Sequence, residues 1–269
     1  MELDYVPLLR IQRELHGLPR NLQRFLQYLR TMENRYGIDG MRVPLLIMNP
    51  MGREHVTALL DQLLALDADG VAARALAEVS PQVADVPGSA KVTLVIADDL
   101  KGGWTNRYAW EFDLRFRYAG PPPERLPHWL KHFWVSAVVW SSEPATEQRT
   151  REAVLTAVLR MAYVYQHGTA RTLRDKLAQE GHVMAMAGCT APVLDADDLA
   201  YTREVLVPYL DADDMRTTIE CLFGDAAART LGFTPRGLSP WAGLAVALAD
   251  SLSSPVHPQP PPTVGSPPA

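Results

Sequence analysis

Between Tyr108 and Tyr118 the chain alternates with a period of two. Tyr108, Trp110, Phe112, Leu114, Phe116 and Tyr118 fall on one side, and Glu111, Asp113, Arg115 and Arg117 on the other. In an extended chain successive side chains point to opposite faces, so the pattern predicts a strand with one face buried and one in water. That half-wet pattern belongs to antiparallel sheets. Val92, Leu94 and Ile96 mark an earlier strand, and Lys101-Gly102-Gly103 between the two suits a hairpin with some excess loop. After the breaker Gly120-Pro-Pro-Pro123, the run His132 to Trp140 reads as a third strand, apolar on both faces and therefore central. Val43 to Met48 is short and wholly apolar, a candidate buried strand.

Helical patterning flanks this strand text. Leu8, Leu9, Ile11 and Leu15 form one stripe, Gly17 and Pro19 interrupt it, and Leu22, Phe25, Leu26 and Leu29 form a second. Val56, Leu59, Leu60, Leu63 and Leu64 recur at helical spacing, and a further helix near Val71 to Val79 stops at Ser80-Pro81. From Ser142 onward everything reads as helix. Pro144 opens one that runs to about His167, where Gly168 ends it. Thr172 with Asp175 resembles a capping box. Leu194-Asp-Ala-Asp-Asp198 and Leu210-Asp-Ala-Asp-Asp214 repeat five letters, each placed as a helix N-terminus with acidic residues set against the dipole. Ser239-Pro240 begins a last helix to about Leu252.

The expected fold class is α+β: a small, mostly antiparallel sheet packed by helices, then a helical C-terminal half. We expect one globular domain over residues 1–252, its sheet part at about 41–140 and its helical part at about 142–252. Residues 253–269, SSPVHPQPPPTVGSPPA, are expected to be a disordered proline-rich tail.

A net charge of −5 supplies no basic field, so nucleic acid is not an expected partner. The arginines at 10, 13, 20, 24, 30 and 35 read as a solvated helix face. The two cysteines, Cys189 and Cys221, lie in apolar helical text, which argues for a reducing compartment and against a disulfide framework. The opening MELDYVPLLRIQRELHG has no apolar core of a signal peptide, and no apolar run is long enough to span a bilayer. The expectation is a soluble cytoplasmic protein with no membrane partner. No P-loop, G-x-G-x-x-G, H-E-x-x-H, G-x-S-x-G or EF-hand pattern occurs, no cofactor or metal is expected, and the motifs resemble those of no family.

Two segments carry candidate chemistry. In Asn49-Pro-Met-Gly-Arg-Glu-His55 a helix begins, and its backbone N–H groups with Gly52 and Arg53 would favour an anion. Glu54 and His55 are proton-transfer candidates there, against a plain capping role. In Asp98-Asp-Leu-Lys-Gly-Gly-Trp-Thr-Asn-Arg-Tyr108, Trp104 and Arg107 offer stacking and a bidentate anion contact beside Lys101 and Asn106, with Asp99 a further acid/base candidate. Its plain alternative pairs Arg107 with Asp98 or Asp99.

Other groupings are weaker. His128-Trp-Leu-Lys-His132 has metal-pair spacing on a helix, but in a strand the rings would lie roughly 13 Å apart. Arg151, Arg160, Arg171 and Arg174 with Tyr163, Tyr165, Gln166, His167, Glu180 and His182 read as helix-end polar groups. Ser141, Ser142 and Cys189 have no base adjacent in the sequence. The leading expectation is a binding protein or enzyme for a small anionic molecule, held by Arg53 and Arg107 and covered by Trp104. On that reading Arg107→Ala weakens binding without lowering thermal stability. The rival is a non-catalytic interaction protein, homo-oligomeric through its helical half or docked through its tail.

Overall fold

A computed structural model describes residues 1–32, 47–100, 106–117 and 133–254. Three strands, β1 (Glu2–Tyr5), β2 (Ser89–Ala97) and β3 (Phe133–Trp140), form a sheet in the order β1-β2-β3, and both pairings are parallel. The antiparallel expectation is thereby overturned. A parallel pair needs a crossover, and the connections here are long enough to provide it. Among the described residues, four α-helices run between β1 and β2: α1 (Leu9–Gly17), α2 (Leu22–Met32), α3 (Glu54–Ala65) and α4 (Ala68–Val79).

The expected middle strand is a helix. Asn106 caps α5 (Arg107–Phe112) by accepting from the Ala109 N–H at 3.2 Å, and Asp113–Arg117 continue it as a π-helix. The period-two reading failed because every second multiple of two is also a helical i, i+4 step. Phe112 and Phe116 share one buried face with ring centroids 5.5 Å apart. Arg107, Glu111 and Arg115 stack as an i, i+4 charge ladder, as do Asp113 and Arg117. With α5 in place of a strand, no hairpin joins it to β2.

β2, not β3, is the central strand. Its sequence SAKVTLVIA is nearly continuous apolar text, as a strand covered on both faces requires. Val92, Leu94 and Ile96, in register with Val135, Ala137 and Val139, face α4 and α6 (Glu147–His167), where Ala72, Leu76, Val154 and Val158 complete the core. Val95, Ala97 and Trp140 face the other way, onto Leu8, Leu15, Tyr28 and Met48. The result is a helix–sheet–helix sandwich. Of the expected strand at 43–48, only Ile47 and Met48 are described, and they are not in a strand.

β1 covers only the first half of β2, and a side chain completes the ladder. Gln12 of α1 is fully buried; its Nε2 donates to Leu94 O at 3.0 Å, and its Oε1 accepts from the Ile96 N–H at 2.9 Å. The amide stands in for the next residue of the missing strand, leaving no buried donor orphaned at that edge.

The helical half follows the sequence closely. α6 is capped by Thr146 and ends at Gly168, whose φ of 80° only glycine adopts readily. Thr172 and Asp175 form a full capping box on α7 (Leu173–Met186). Asp195 caps α8 (Ala196–Leu206) and Asp214 caps α9 (Met215–Phe223), so each repeated acidic run supplies an N-cap. α10 (Asp225–Thr230) and α11 (Ala242–Ser253) complete the chain as described. Gly181 lets α7 meet α11 closely: a Cβ there would stand 2.4 Å from Ala247 O. Cys189 and Cys221 are free and buried, and burial first of all raises their thiols, to about 11 and about 12, so both act as apolar packing. Residues 255–269 of the expected tail lie outside the described residues, and no helix among those described is long and apolar enough to cross a membrane.

Candidate functional site

Because β2 and β3 run parallel and end in register at Ala97 and Trp140, the residues that follow emerge side by side: Asp98-Asp99 from one, Ser141-Ser142-Glu143 from the other. The Ser141 N–H donates to Ala97 O at 2.9 Å, extending the ladder by one step. Open α/β sheets hold their ligands beyond these carboxyl ends, where side chains project without a following strand to cover them.

Asp98 is buried and surrounded by donors. Asn49 Nδ2 reaches its Oδ2 at 3.3 Å, while Ser141 Oγ and the Leu100 N–H reach Oδ1 at 2.9 and 3.1 Å. His55 Nε2 lies 2.8 Å from the same Oδ1. The segment leading into α3 and the loop after β2 therefore meet on one carboxylate.

Asp99 is fixed as firmly. Its Oδ1 accepts from the Ser142 N–H at 2.9 Å and faces Ser141 Oγ at 3.0 Å; its Oδ2 accepts from Ser142 Oγ at 2.6 Å and from Arg107 Nη1 at 3.2 Å. The Ser141 hydroxyl has a single hydrogen for two carboxylates, so it serves Asp98 or Asp99, never both at full strength.

Arg107 is a brace rather than an open anion clamp. Nη1 also donates to Ser142 Oγ at 3.0 Å, Nη2 donates to Glu143 Oε1 at 2.5 Å, and Glu111 stands 3.6 Å away. Its guanidinium lies 5.2 Å from the Trp140 ring centre and 4.9 Å from that of Trp241, which sits in the left-handed region at φ 62°. The alternative in which Arg107 pairs with Asp99 is the one observed. Since the side chain is only 17% exposed and joins three carboxylates, removing it also loosens the fold.

The remaining candidates divide plainly. Asn106 is the α5 cap. Glu54 and Arg53 are exposed at the start of α3, and neither side chain has a hydrogen bond or ion pair among the described residues. Gly52 is buried against His16. Lys101 and Trp104 lie outside the described residues, as does the pair His128 and His132. The polar group of the helical half separates into a buried ion pair, Arg160 with Glu180, and a ring cluster of Tyr163 with His167 and His182. No cluster of three or more His, Cys, Asp or Glu placed to hold a metal occurs among the described residues.

Five parts of the site escaped the sequence reading, the first being Asp98, which it took only as a possible partner of Arg107. Glu143 and Trp140 are contributed by the end of β3, which shows only once the sheet is known to be parallel. Trp241 arrives from a distant loop, with no local signal. Arg24 was read as a surface residue. It is buried, donating to the carbonyls of His16, Leu18, Pro50 and Gly52 and so fastening the loop before α3 to the end of α1. No known protein family, curated protein or solved structure matches the chain.

Proposed function

We propose that the protein binds, and positions a base against, a small anionic molecule at the carboxyl edge of its parallel sheet. The observation that carries this reading is the His55–Asp98 pair, with Nε2 2.8 Å from Oδ1, the carboxylate buried and the ring half-buried. A carboxylate on one ring nitrogen keeps the proton there and leaves the other nitrogen with its lone pair outward, which is how an imidazole is prepared as a general base. Nδ1 of His55 makes no hydrogen bond among the described residues. Arg53 and the first turn of α3 provide the positive side for the anion. Asp99 and the exposed Ser142 hydroxyl provide polar contacts for the remainder, and Arg107 holds those two in place. Acting from within the fold, Arg107 is a positioning residue.

Thermal unfolding in the presence of small phosphates and carboxylates tests the reading. A true ligand stabilises in proportion to the logarithm of its concentration, by about 2.7 kcal/mol at 100 times its Kd. We expect that response in the wild type and its loss in Arg53→Ala/His55→Ala; if no small anion stabilises the wild type, the reading falls. The rival, an interaction protein, draws support from a different place than expected. A groove of about 560 Å³ between α1 and α2 leaves Leu22 and Leu26 exposed, on the N-terminal helices rather than the helical half. Light scattering separates the two, since an assembly through that groove breaks on Leu22→Ser.

A further inference from the structure

The imidazole of His16 has no evident structural purpose. It lies in the last turn of α1, only 5% exposed, and among the described residues neither Nδ1 nor Nε2 has a hydrogen-bond partner. A neutral imidazole carries one donor and one acceptor, and leaving both unmet in the interior is costly enough to demand a reason.

Its position suggests one. The ring packs against Gly52, where a Cβ would stand 3.1 Å from His16 Cε1 and 2.9 Å from Val56 Cγ2, so a side chain at 52 would crowd both. Gly52 lies two residues before the first turn of α3. That helix, Glu54–Ala65, has no side-chain cap, and its Glu54 and His55 N–H groups have no acceptor among the described residues. The charged and titratable groups around His16 are Arg24 and Arg13, which repel a proton on it, with His55 doing so weakly, and Asp98, which attracts one. Asp98 is already ringed by Asn49, His55, Ser141 and a backbone N–H. Among the described residues the Arg24 guanidinium hydrogen-bonds only to carbonyls, and Glu54 in the first turn of α3 is the carboxylate whose charge it feels. Arg24 and Arg13 set the positive charge at this end of α3, opposed by Asp98 and the exposed Glu54.

We propose that His16 and the N-terminus of α3 form the anion subsite of the ligand site, taking a small oxyanion, phosphate or carboxylate, onto an imidazole N–H and the first-turn backbone N–H groups. This rests on the ligand-site reading above and adds the group that selects for charge. In the unliganded protein His16 is neutral: burial, then Arg24, hold it down to about 4. An anion beside the ring reverses that balance, so binding takes up a proton and tightens as pH falls.

The test is an NMR titration of the imidazole signals of the full-length protein with inorganic phosphate and, separately, acetate. The expected result is a saturable shift of both His16 and His55, with the His16 titration midpoint raised by the bound anion. His16→Gln should weaken binding on the order of tenfold, the weight of one charge-assisted hydrogen bond. Response to phosphate alone or acetate alone supports the subsite and fixes its geometry as tetrahedral or planar. If His55 shifts and His16 does not, the ligand site stands but the subsite is overturned. If neither shifts with either anion, both readings fall. The wild-type titration decides the matter even should His16→Gln fail to fold.

Discussion

Replacing Glu180 with glutamine should cost about 3 kcal/mol at neutral pH, in a way that depends on pH and so identifies its cause. Glu180 is fully buried in α7; Arg160 donates to it twice, at 2.7 and 2.9 Å, Arg115 forms a further ion pair, and Gln179 donates at 3.1 Å. Burial alone would raise the carboxyl pKa, but the guanidiniums of Arg160 and Arg115 outweigh it and hold the group down to about 2, against 4.5 in the open chain. At 1.36 kcal/mol per tenfold change in proton affinity, that difference is ~3 kcal/mol. The cost of breaking a buried pair and stranding its partner, about 3–5 kcal/mol, agrees. A folded pKa below the unfolded one stabilises fully above pH 4.5 and is lost as pH falls toward 2. The gap between wild type and Glu180→Gln should therefore be full at pH 7 and shrink on acidification, because protonation turns the native residue into a neutral analogue of the variant. Urea denaturation at a series of pH values measures it, and at pH 7 the melting temperature should drop by about 6–12 °C. A gap below about 1 kcal/mol at pH 7, or one unchanged on acidification, would show that the ion pairs contribute no more than an exposed pair does.

Arg107→Ala should lower stability by about 2–3 kcal/mol, because it removes a charged donor from Asp99 and from Glu143, which keep Ser142 and Arg149 respectively, and opens the space between Trp140 and Trp241; an unchanged melting temperature would restore the view of Arg107 as a free anion clamp. Gln12→Leu leaves Ile96 N–H and Leu94 O unpaired beside the site and should cost about 2–4 kcal/mol, with faster amide exchange at Ile96. Gly181→Ala sets a methyl against Ala247 O and should cost about 1–3 kcal/mol by forcing α7 from α11; a neutral outcome would mean that the helices are further apart.

What the sequence made legible follows from how local each signal is. N-caps act over three residues, so Thr172, Asp195 and Asp214 could be read directly. Strand direction is set by which distant segments meet, and nothing in Tyr108–Tyr118 alone separates a period of two from i, i+4. The discriminating signs were present: Asn106 as a cap, the charge ladder Arg107–Glu111–Arg115, and a β2 too uniformly apolar to have a wet face. The site was half visible for the same reason. His55 and Asp99 stand out as chemistry at the ends of segments, whereas Asp98, read only as a possible partner of Arg107, and Glu143 and Trp241 join only through the parallel register and the long return of the chain.

The account stands on a ligand held beyond the carboxyl ends of β2 and β3. Equilibrium dialysis of the full-length protein against a mixed pool of small phosphates and carboxylates, followed by mass spectrometry of what is retained, tests it directly. The account predicts that at least one small anion is retained by the wild type and by Leu22→Ser, and lost by Arg53→Ala/His55→Gln. No retained compound, or equal retention by all three proteins, would contradict it.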